Sequence, residues 1–170
     1  METGIRVLTT ADAAAFRSLR IEALRRHPEA FGASAEDAER IDAAGFAAGM
    51  PKQAPDAIFG AFAGDALVGM AGFFAHRPAK VRHKGAIWGV YVQAAARGQG
   101  IAGRLMQRAI AQARSAGLER LLLTVTVGNA AAQALYGRLG FLPYGIEQAA
   151  LRLPDGRRID EELRALDLRG

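Results

Sequence analysis

The segment between Ala86 and Val127 constrains the fold more than any other part of this 170-residue chain. Large and branched residues over Ala86–Val92 predict a strand, and a glycine-rich loop follows it. Apolar residues at helical spacing over Ile101–Ala116 predict an amphipathic helix, which Gly117 ends. Leu121–Val127 is apolar except at two threonines, which predicts a strand covered on both faces. A strand–helix–strand crossover requires the two strands to run parallel.

Turn signals elsewhere in the chain predict antiparallel pairs. Gly64-Asp65 and Pro154-Asp155-Gly156 each separate two strand-like segments. The remaining elements are predicted at Ile5–Leu8, Asp12–Arg26, Ala35–Ala48, Ala57–Ala63, Ala66–His76, Ala130–Leu139, Phe141–Leu153 and Ile159–Leu168. The order β α α β β β α β α β β predicts an α/β (α+β) fold with a mixed, mostly antiparallel central sheet of about seven strands and helices on both faces. We expect residues 1–170 to form a single domain.

The loop Arg97–Gly103 reads Arg-Gly-Gln-Gly-Ile-Ala-Gly and joins the strand to the helix. Glycines let a backbone approach a ligand closely, and the first turn of a helix has unpaired N–H donors with a partial positive charge. Such a loop is suited to bind a pyrophosphate.

The same glycines allow two other interpretations. Gly98, Gly100 and Gly103 fit the G-x-G-x-x-G pattern of dinucleotide-binding domains. That pattern requires an acidic residue at the end of the next strand, whereas Glu119 lies before that strand, so a dinucleotide is disfavoured. A connection without ligand is also disfavoured, because glycines at a helix start cost stability.

Two motifs in this chain resemble those of the GNAT superfamily of acetyltransferases. Residues 97–102 fit its acetyl-CoA motif Q/R-x-x-G-x-G/A, and residues 129–141 are similar to its signature N-x-x-A-x-x-L-Y-x-x-x-G-F. The order of predicted elements also agrees with that of the superfamily along nearly the whole chain. The resemblance implies the acyl-CoA N-acyltransferase fold, with a parallel pair of strands that splays apart, and acetyl-CoA-dependent N-acetyltransferase activity.

The resemblance also implies which residues bind acetyl-CoA. In the superfamily the pantetheine arm lies between the splayed strands and hydrogen-bonds like an added strand, here beside Val90-Tyr91-Val92. The pyrophosphate lies on backbone N–H groups of the glycine loop, and Asn129 contacts the cofactor while it caps a helix. The implied cofactor-binding residues are Val90, Tyr91, Val92, Arg97, Gly98, Gln99, Gly100, Ile101, Ala102, Gly103 and Asn129.

Tyr136 is the candidate catalytic residue. Acetyl transfer to an amine expels a thiolate, and a phenol near the sulfur can donate a proton to it. Tyr136 follows Asn129 by seven residues, so one face of a helix presents both. The resemblance makes Tyr136 the general acid, and the other interpretation is a tyrosine that only packs in the core.

The general base stays open at the level of sequence. An amine is mostly protonated at neutral pH, with a reference pKa of about 10.4 for lysine, and must lose a proton before it attacks. Superfamily members that acetylate protein N-termini have a glutamate five residues before the motif asparagine, where this chain has Thr124. Glu22, His76, Glu147 or a chain of waters can take that role.

Composition and charge indicate which classes of ligand and partner to expect. The net charge is +5 with scattered arginines, which suits the phosphates of coenzyme A and gives no reason to expect nucleic acid. The chain has no cysteine and its three histidines lack ligand spacing, so we expect no metal. No apolar run reaches about 18 residues and no signal peptide is evident, so we expect no membrane partner and a cytoplasmic location.

The acceptor implied by the resemblance is a primary amine of a small molecule or peptide. A non-catalytic acetyl-CoA-binding protein is the alternative function, which the presence of Tyr136 disfavours. A homodimer is left open.

Overall fold

The computed structural model describes residues 2–170, whose strands form one seven-stranded sheet. The helices are α1 (Ala13–Arg26), α2 (Ala35–Glu39), α3 (Ala43–Gly49), α4 (Ile101–Ser115) and α5 (Ala130–Arg138). The strands are β1 (Thr3–Val7), β2 (Ala57–Ala63), β3 (Ala66–Ala75), β4 (Lys84–Val92), β5 (Arg120–Thr126), β6 (Leu142–Arg152) and β7 (Arg158–Asp167).

The sheet is mixed, as the element order predicts. The strands lie side by side in the order β1-β2-β3-β4-β5-β7-β6. Only β4 and β5 run parallel among these neighbours, and every other pair is antiparallel. The predicted fold class is therefore confirmed, and the crossover through α4 accounts for the single parallel pair.

Helices cover both faces of the sheet. Neighbouring residues of a strand point to opposite faces, and apolar side chains on each face pack against helices. Ile58 and Met70 belong to the core that Phe16 and Leu19 of α1 complete. Phe59 and Phe73 lie on the opposite face of the same strands and pack with Leu105, Met106 and Ala109 of α4. The apolar face predicted for this helix therefore lies in the second core.

β4 and β5 separate soon after they begin to pair. Their register runs only from Lys84 opposite Arg120 to Ala86 opposite Leu122. A bulge in β4 accompanies the separation, since β4 advances from Trp88 to Tyr91 while β3 advances only from Gly72 to Met70. Gly89 lies in this bulge with φ of 64°, a value that favours glycine.

The helix predicted over Ala35–Ala48 is wrong, because two short helices occupy that segment. Ser34 caps α2, with its hydroxyl accepting a hydrogen bond from the Asp37 N–H at 3.1 Å. The helix stops after one further turn, and the Asp42 carboxylate accepts from the Gly45 N–H at 2.8 Å to begin α3. A second good capping residue inside the predicted helix favours the break.

The prediction that β5 is covered on both faces is also wrong. Leu121, Leu123 and Val125 are buried, whereas Thr124 on the opposite face is exposed. Thr124 and Thr126 point toward the space left by the separated strands, where they line a cavity. None of the helices in residues 2–170 combines the length and apolar character needed to cross a membrane.

Candidate active site

A cleft of about 790 Å³, here called the large cleft, lies where β4 and β5 separate. The end of β4, the loop after it, the start of α4, the end of β5 and α5 form its walls. The residues predicted to bind the cofactor that line it are Val90, Tyr91, Val92, Arg97, Gly98, Gly100, Ile101, Ala102, Gly103 and Asn129. Gln99 is the exception, since it is exposed in the loop and is not part of the wall.

The glycine loop leaves open space in front of α4. Gly98 and Gly100 have φ of 79° and 70°, in the left-handed region, and Gly100 is the N-cap of α4. A Cβ added to either glycine would meet no atom within 4 Å. Because N–H groups in the first turn of a helix lack helical partners, this space fits an anionic group such as a pyrophosphate.

Arg97 places a positive charge at the mouth of the large cleft. Its Nε donates a hydrogen bond to the Val92 carbonyl oxygen at 3.0 Å, and its guanidinium lies 5.8 Å from the centre of the Tyr91 ring. Nη2 of Arg97 is 3.1 Å from Nε2 of His27, which also lines the cleft. A second arginine, Arg138, also lines the cleft, so two guanidinium groups are available to a polyanionic ligand.

A second cavity of about 200 Å³, here called the small cavity, adjoins the large cleft. Arg20 of α1, Trp88 of β4, Thr124 of β5 and Glu161 of β7 are among its lining residues. The two cavities share part of their walls, at Val90, Asn129, Tyr136 and neighbouring residues. Two ligands, one in each cavity, would therefore lie next to each other at this shared wall.

Tyr136 lies in this shared wall. Its side chain is buried, packs edge-on against Phe141 with ring centres 6.3 Å apart, and makes no hydrogen bond among residues 2–170. Burial raises the pKa of Tyr136 to about 12, so the phenol stays protonated at neutral pH and can act as a donor.

The position of α5, which carries Tyr136, depends on a buried arginine. Arg164 of β7 donates from Nη1 to the carbonyl oxygens of Gln133 at 3.0 Å and Phe141 at 3.3 Å, and from Nε to the Glu162 carboxylate. At the other end of α5, the Asn129 side chain accepts a hydrogen bond from the Ala132 N–H at 3.2 Å. The Arg164 hydrogen bonds therefore join α5 to the sheet, while the Asn129 cap stabilises the first turn of the helix.

Glu161 is a carboxylate that the sequence analysis missed. It is partly buried on β7 and lines the small cavity. Burial raises its pKa, the neighbouring carboxylate of Glu147 raises it further, and a hydrogen bond with Thr124 partly offsets both. A glutamate with a raised pKa is better matched to accepting a proton near neutral pH than an exposed one.

The three residues that the sequence offers as the base line neither cavity. The Glu22 carboxylate accepts hydrogen bonds from the Tyr91 hydroxyl and the Gln93 amide, each at 2.8 Å. His76 follows the end of β3 and packs against Phe74 with ring centres 5.4 Å apart. Glu147 is exposed on β6, opposite Glu161.

Comparison with known proteins agrees with this geometry. The model of the acetyltransferase (GNAT) family matches residues 16–141, and the chain belongs to that family. Among curated proteins, none matches this chain at a significant level. Members of the family use acetyl-CoA as the acetyl donor and act on amines, so the large cleft belongs to an acetyl-CoA-dependent acetyltransferase.

Solved structures of acetyltransferases share the fold over almost their whole length. A GNAT-family acetyltransferase from Streptococcus pneumoniae has a TM-score of 0.84 and 24% identity, with 96% of this chain and 98% of that chain covered. The putative acetyltransferase yncA from Salmonella typhimurium, solved with its cofactor acetyl-CoA, has a TM-score of 0.81 and 23% identity, with 100% and 96% covered. The ribosomal-protein-alanine N-acetyltransferase from Brucella melitensis has a TM-score of 0.73 and 24% identity, with 96% and 99% covered.

Proposed function

We propose that the protein transfers the acetyl group of acetyl-CoA to a primary amine of a small molecule or peptide, with residues 1–170 acting as a single N-acetyltransferase domain. The observation that carries the proposal is the junction of the two cavities at Tyr136. The large cleft takes the donor and the small cavity takes the acceptor, so the reacting groups meet at the shared wall. Transfer is then direct, within one complex of both substrates.

On the donor side, the backbone of the glycine loop and the guanidinium groups of Arg97 and Arg138 hold the phosphates. The pantetheine arm lies along Val90–Val92, where β4 has no strand partner on the side of β5. Asn129, at the end of β5, contacts the cofactor with the part of its amide that does not cap α5. Bound acetyl-CoA supplies an activated acetyl group whose sulfur leaves as a thiolate.

Tyr136 is the general acid in this proposal. The hydroxyl has no competing partner among residues 2–170, so it is free to donate a hydrogen bond to the sulfur as negative charge develops there. A thiol has a reference pKa of about 8.5, below that of the buried phenol, so the hydrogen bond stabilises the leaving sulfur before the proton moves.

Glu161 is the general base in this proposal. Its carboxylate lines the acceptor cavity and can take a proton from an ammonium group bound there, either directly or through one water. Glu22 is unsuited because hydrogen bonds to Tyr91 and Gln93 occupy both of its oxygens. His76 and Glu147 lie outside the cavity.

The decisive experiment measures thiol release from acetyl-CoA with a panel of amines, amino acids and peptides, beside the thermal shift that acetyl-CoA produces alone. Acetyl-CoA at about 100 times its Kd is expected to stabilise the fold by about 2.7 kcal/mol, and at least one amine is expected to accelerate thiol release. A thermal shift without release for any amine would favour the non-catalytic acetyl-CoA-binding alternative. Absence of both would refute the proposal.

A homodimer stays a prediction, and the sheet offers a surface for it. β6 is an edge strand, and Leu142, Tyr144 and Ile146 on it are 69%, 52% and 58% exposed. An edge strand with exposed apolar side chains can pair with a second copy of itself. Light scattering on the purified protein measures whether it does.

A further inference from the structure

Arg20 has no partner for its charge. Its Nη1 is buried and finds no hydrogen-bond acceptor, and no ion pair reaches its guanidinium among residues 2–170. The guanidinium carbon lies 5.2 Å from the ring centre of Phe31 and 5.4 Å from that of Trp88. Burial lowers the pKa of Arg20, because few polar groups replace the water it has lost. An arginine in this state has unused donors that an anion can satisfy.

The arginines beside Arg20 on the same helix do have partners. Arg17 donates to the carbonyl oxygens of Ile41 at 2.6 Å and Glu39 at 3.0 Å. Arg25 forms an ion pair with the Glu39 carboxylate at 2.5 Å, and its side chain is 64% exposed. Arg20 differs from both because its side chain extends into the small cavity.

The surroundings of Arg20 keep the guanidinium in place. Gly89 in the β4 bulge leaves room for it, since a Cβ at that position would lie 3.3 Å from Nη1. The rings of Phe31 and Trp88 flank the planar group and restrict its rotation. A fixed guanidinium is suited to a planar, two-oxygen anion such as a carboxylate, which it can bind through two parallel hydrogen bonds.

The small cavity contains a negative group as well, since Glu161 also lines it. One cation and one anion in a single cavity are complementary to a ligand that carries both charges. The volume of about 200 Å³ is below the roughly 300–1,000 Å³ of sites for drug-sized ligands, which favours a small molecule.

We propose that the acetyl acceptor is a free amino acid, with Arg20 binding its carboxylate while Glu161 faces its amino group. This inference rests on the proposed function and adds the class of acceptor to it. Arg20 is a binding residue in this arrangement and takes no part in proton transfer.

The test compares free L-amino acids with the matching amino-acid amides, which keep the side chain and amine but lack the carboxylate. For the preferred side chain, the wild-type protein is expected to have a kcat/KM at least about 10-fold higher for the acid, since a hydrogen-bonded charge contributes about 1.5–3 kcal/mol. Equal use of acids and amides would overturn the inference.

Variants then assign the preference to Arg20. Arg20→Gln is expected to raise KM for the acid at least about 10-fold and to leave the amide nearly unchanged, and Arg20→Lys to restore part of the difference. Arg25→Gln removes the same charge from the same helix outside the cavity and is expected to keep the preference. A loss of acid and amide turnover in equal proportion in Arg20→Gln would overturn the assignment, because Arg20 would then only support the aromatic rings.

Binding is measured separately, so that failure of the proposed function does not leave the inference untested. Amino acids are expected to raise the melting temperature of the wild-type protein in saturating CoA, and the matching amides to raise it less. Equal shifts, or none, would overturn the inference whether or not acetyl transfer is observed. Turnover of amines that lack an anionic group, together with equal shifts, would leave the proposed function intact and refute the amino-acid acceptor.

Discussion

At the scale of single residues, Tyr136 and Glu161 reach the small cavity from different elements, and the proposed mechanism gives them opposite roles in proton transfer. Tyr136 lies on α5 and Glu161 on β7, and each has a raised pKa that burial causes first. The raised pKa keeps the phenol of Tyr136 protonated, and it makes the carboxylate of Glu161 a stronger base. The same physical cause thus prepares one group to donate and the other to accept.

Tyr136→Phe is expected to lower kcat by about 100-fold or more, since general acid catalysis contributes about 10²–10⁴-fold. Affinity for acetyl-CoA and the melting temperature are expected to change little, because the hydroxyl makes no hydrogen bond among residues 2–170. Steady-state kinetics and thermal shift measure both. Tyr144→Phe, at an exposed position outside the cavities, is the matched control, and an unchanged kcat in Tyr136→Phe would remove the general-acid assignment.

Glu161→Gln is expected to abolish the acid limb of the pH profile of kcat/KM. The base must be deprotonated, so wild-type activity falls as pH drops through the raised pKa of Glu161 and is retained above it. Glu147→Gln removes a charge that raises this pKa, so it is expected to remain active with the acid limb moved to lower pH. A wild-type-like acid limb in Glu161→Gln would assign the proton acceptor to another group.

At the scale of elements, the start of α4 has a residue that is unfavourable for a helix at a position where ligand binding is proposed. Gly103 lies inside the first turn of α4 and lines the large cleft, although alanine would suit a helix better. A Cβ there would meet only the Leu135 side chain, at 3.8 Å, so the fold has room for it. Packing within the protein therefore does not require glycine at this position, which is consistent with the proposed binding of acetyl-CoA there.

Gly103→Ala is expected to stabilise the fold by about 1 kcal/mol and to weaken acetyl-CoA binding. The gain comes from helix propensity, and the loss comes from a methyl group placed in the cleft. Denaturant unfolding and calorimetric titration measure the two effects. Gly137→Ala is the control, because Gly137 is inside α5, is exposed and lines neither cavity, so only the gain in stability is expected. Unchanged acetyl-CoA affinity in Gly103→Ala would contradict the assignment of the loop.

Local sequence signals predicted most elements and the donor half of the site. Helical spacing, capping residues and turn dipeptides are short-range features, and they located α4 and the β2–β3 hairpin. The break between α2 and α3 was missed because apolar spacing continues across it, while Asp42 starts a new helix by a side-chain hydrogen bond.

The acceptor half of the site could not be read from the sequence in the same way. Arg20 and Glu161 stand in no motif, and they meet only because α1 packs over β4 while β7 inserts between β5 and β6. The placement of these two charged residues, 141 positions apart in the chain, around one cavity depends on tertiary packing, which local patterns do not encode. The hydrogen bond that makes Glu22 unsuited as the base also depends on tertiary packing, because the Tyr91 hydroxyl reaches Glu22 across the interface between α1 and the sheet.

At the scale of the whole molecule, a sheet interrupted at its middle joins two parts. β1 to β4 form one part and β5 to β7 the other, and their backbones pair only from Lys84–Arg120 to Ala86–Leu122. Beyond that point the two parts are held by the helices and by contacts such as the hydrogen bond from the Thr126 hydroxyl to the Glu29 carbonyl oxygen at 2.6 Å.

This interruption has a consequence for the stability of the sheet, because a bound donor can take the place of the missing strand pairing between β4 and β5. Without acetyl-CoA, the facing edges of β4 and β5 have no strand partner beyond Ala86 and Leu122. In the proposed mode of binding, the pantetheine arm bridges these two edges. Acetyl-CoA is therefore expected to slow amide exchange along both edges while β1 and β2 stay unchanged, which mass spectrometry measures. Slowing in β4 alone would mean that the two edges are not bridged. In the proposed arrangement, bound acetyl-CoA also forms one side of the small cavity, because the two cavities share wall residues, and we therefore expect the donor to bind before the amine.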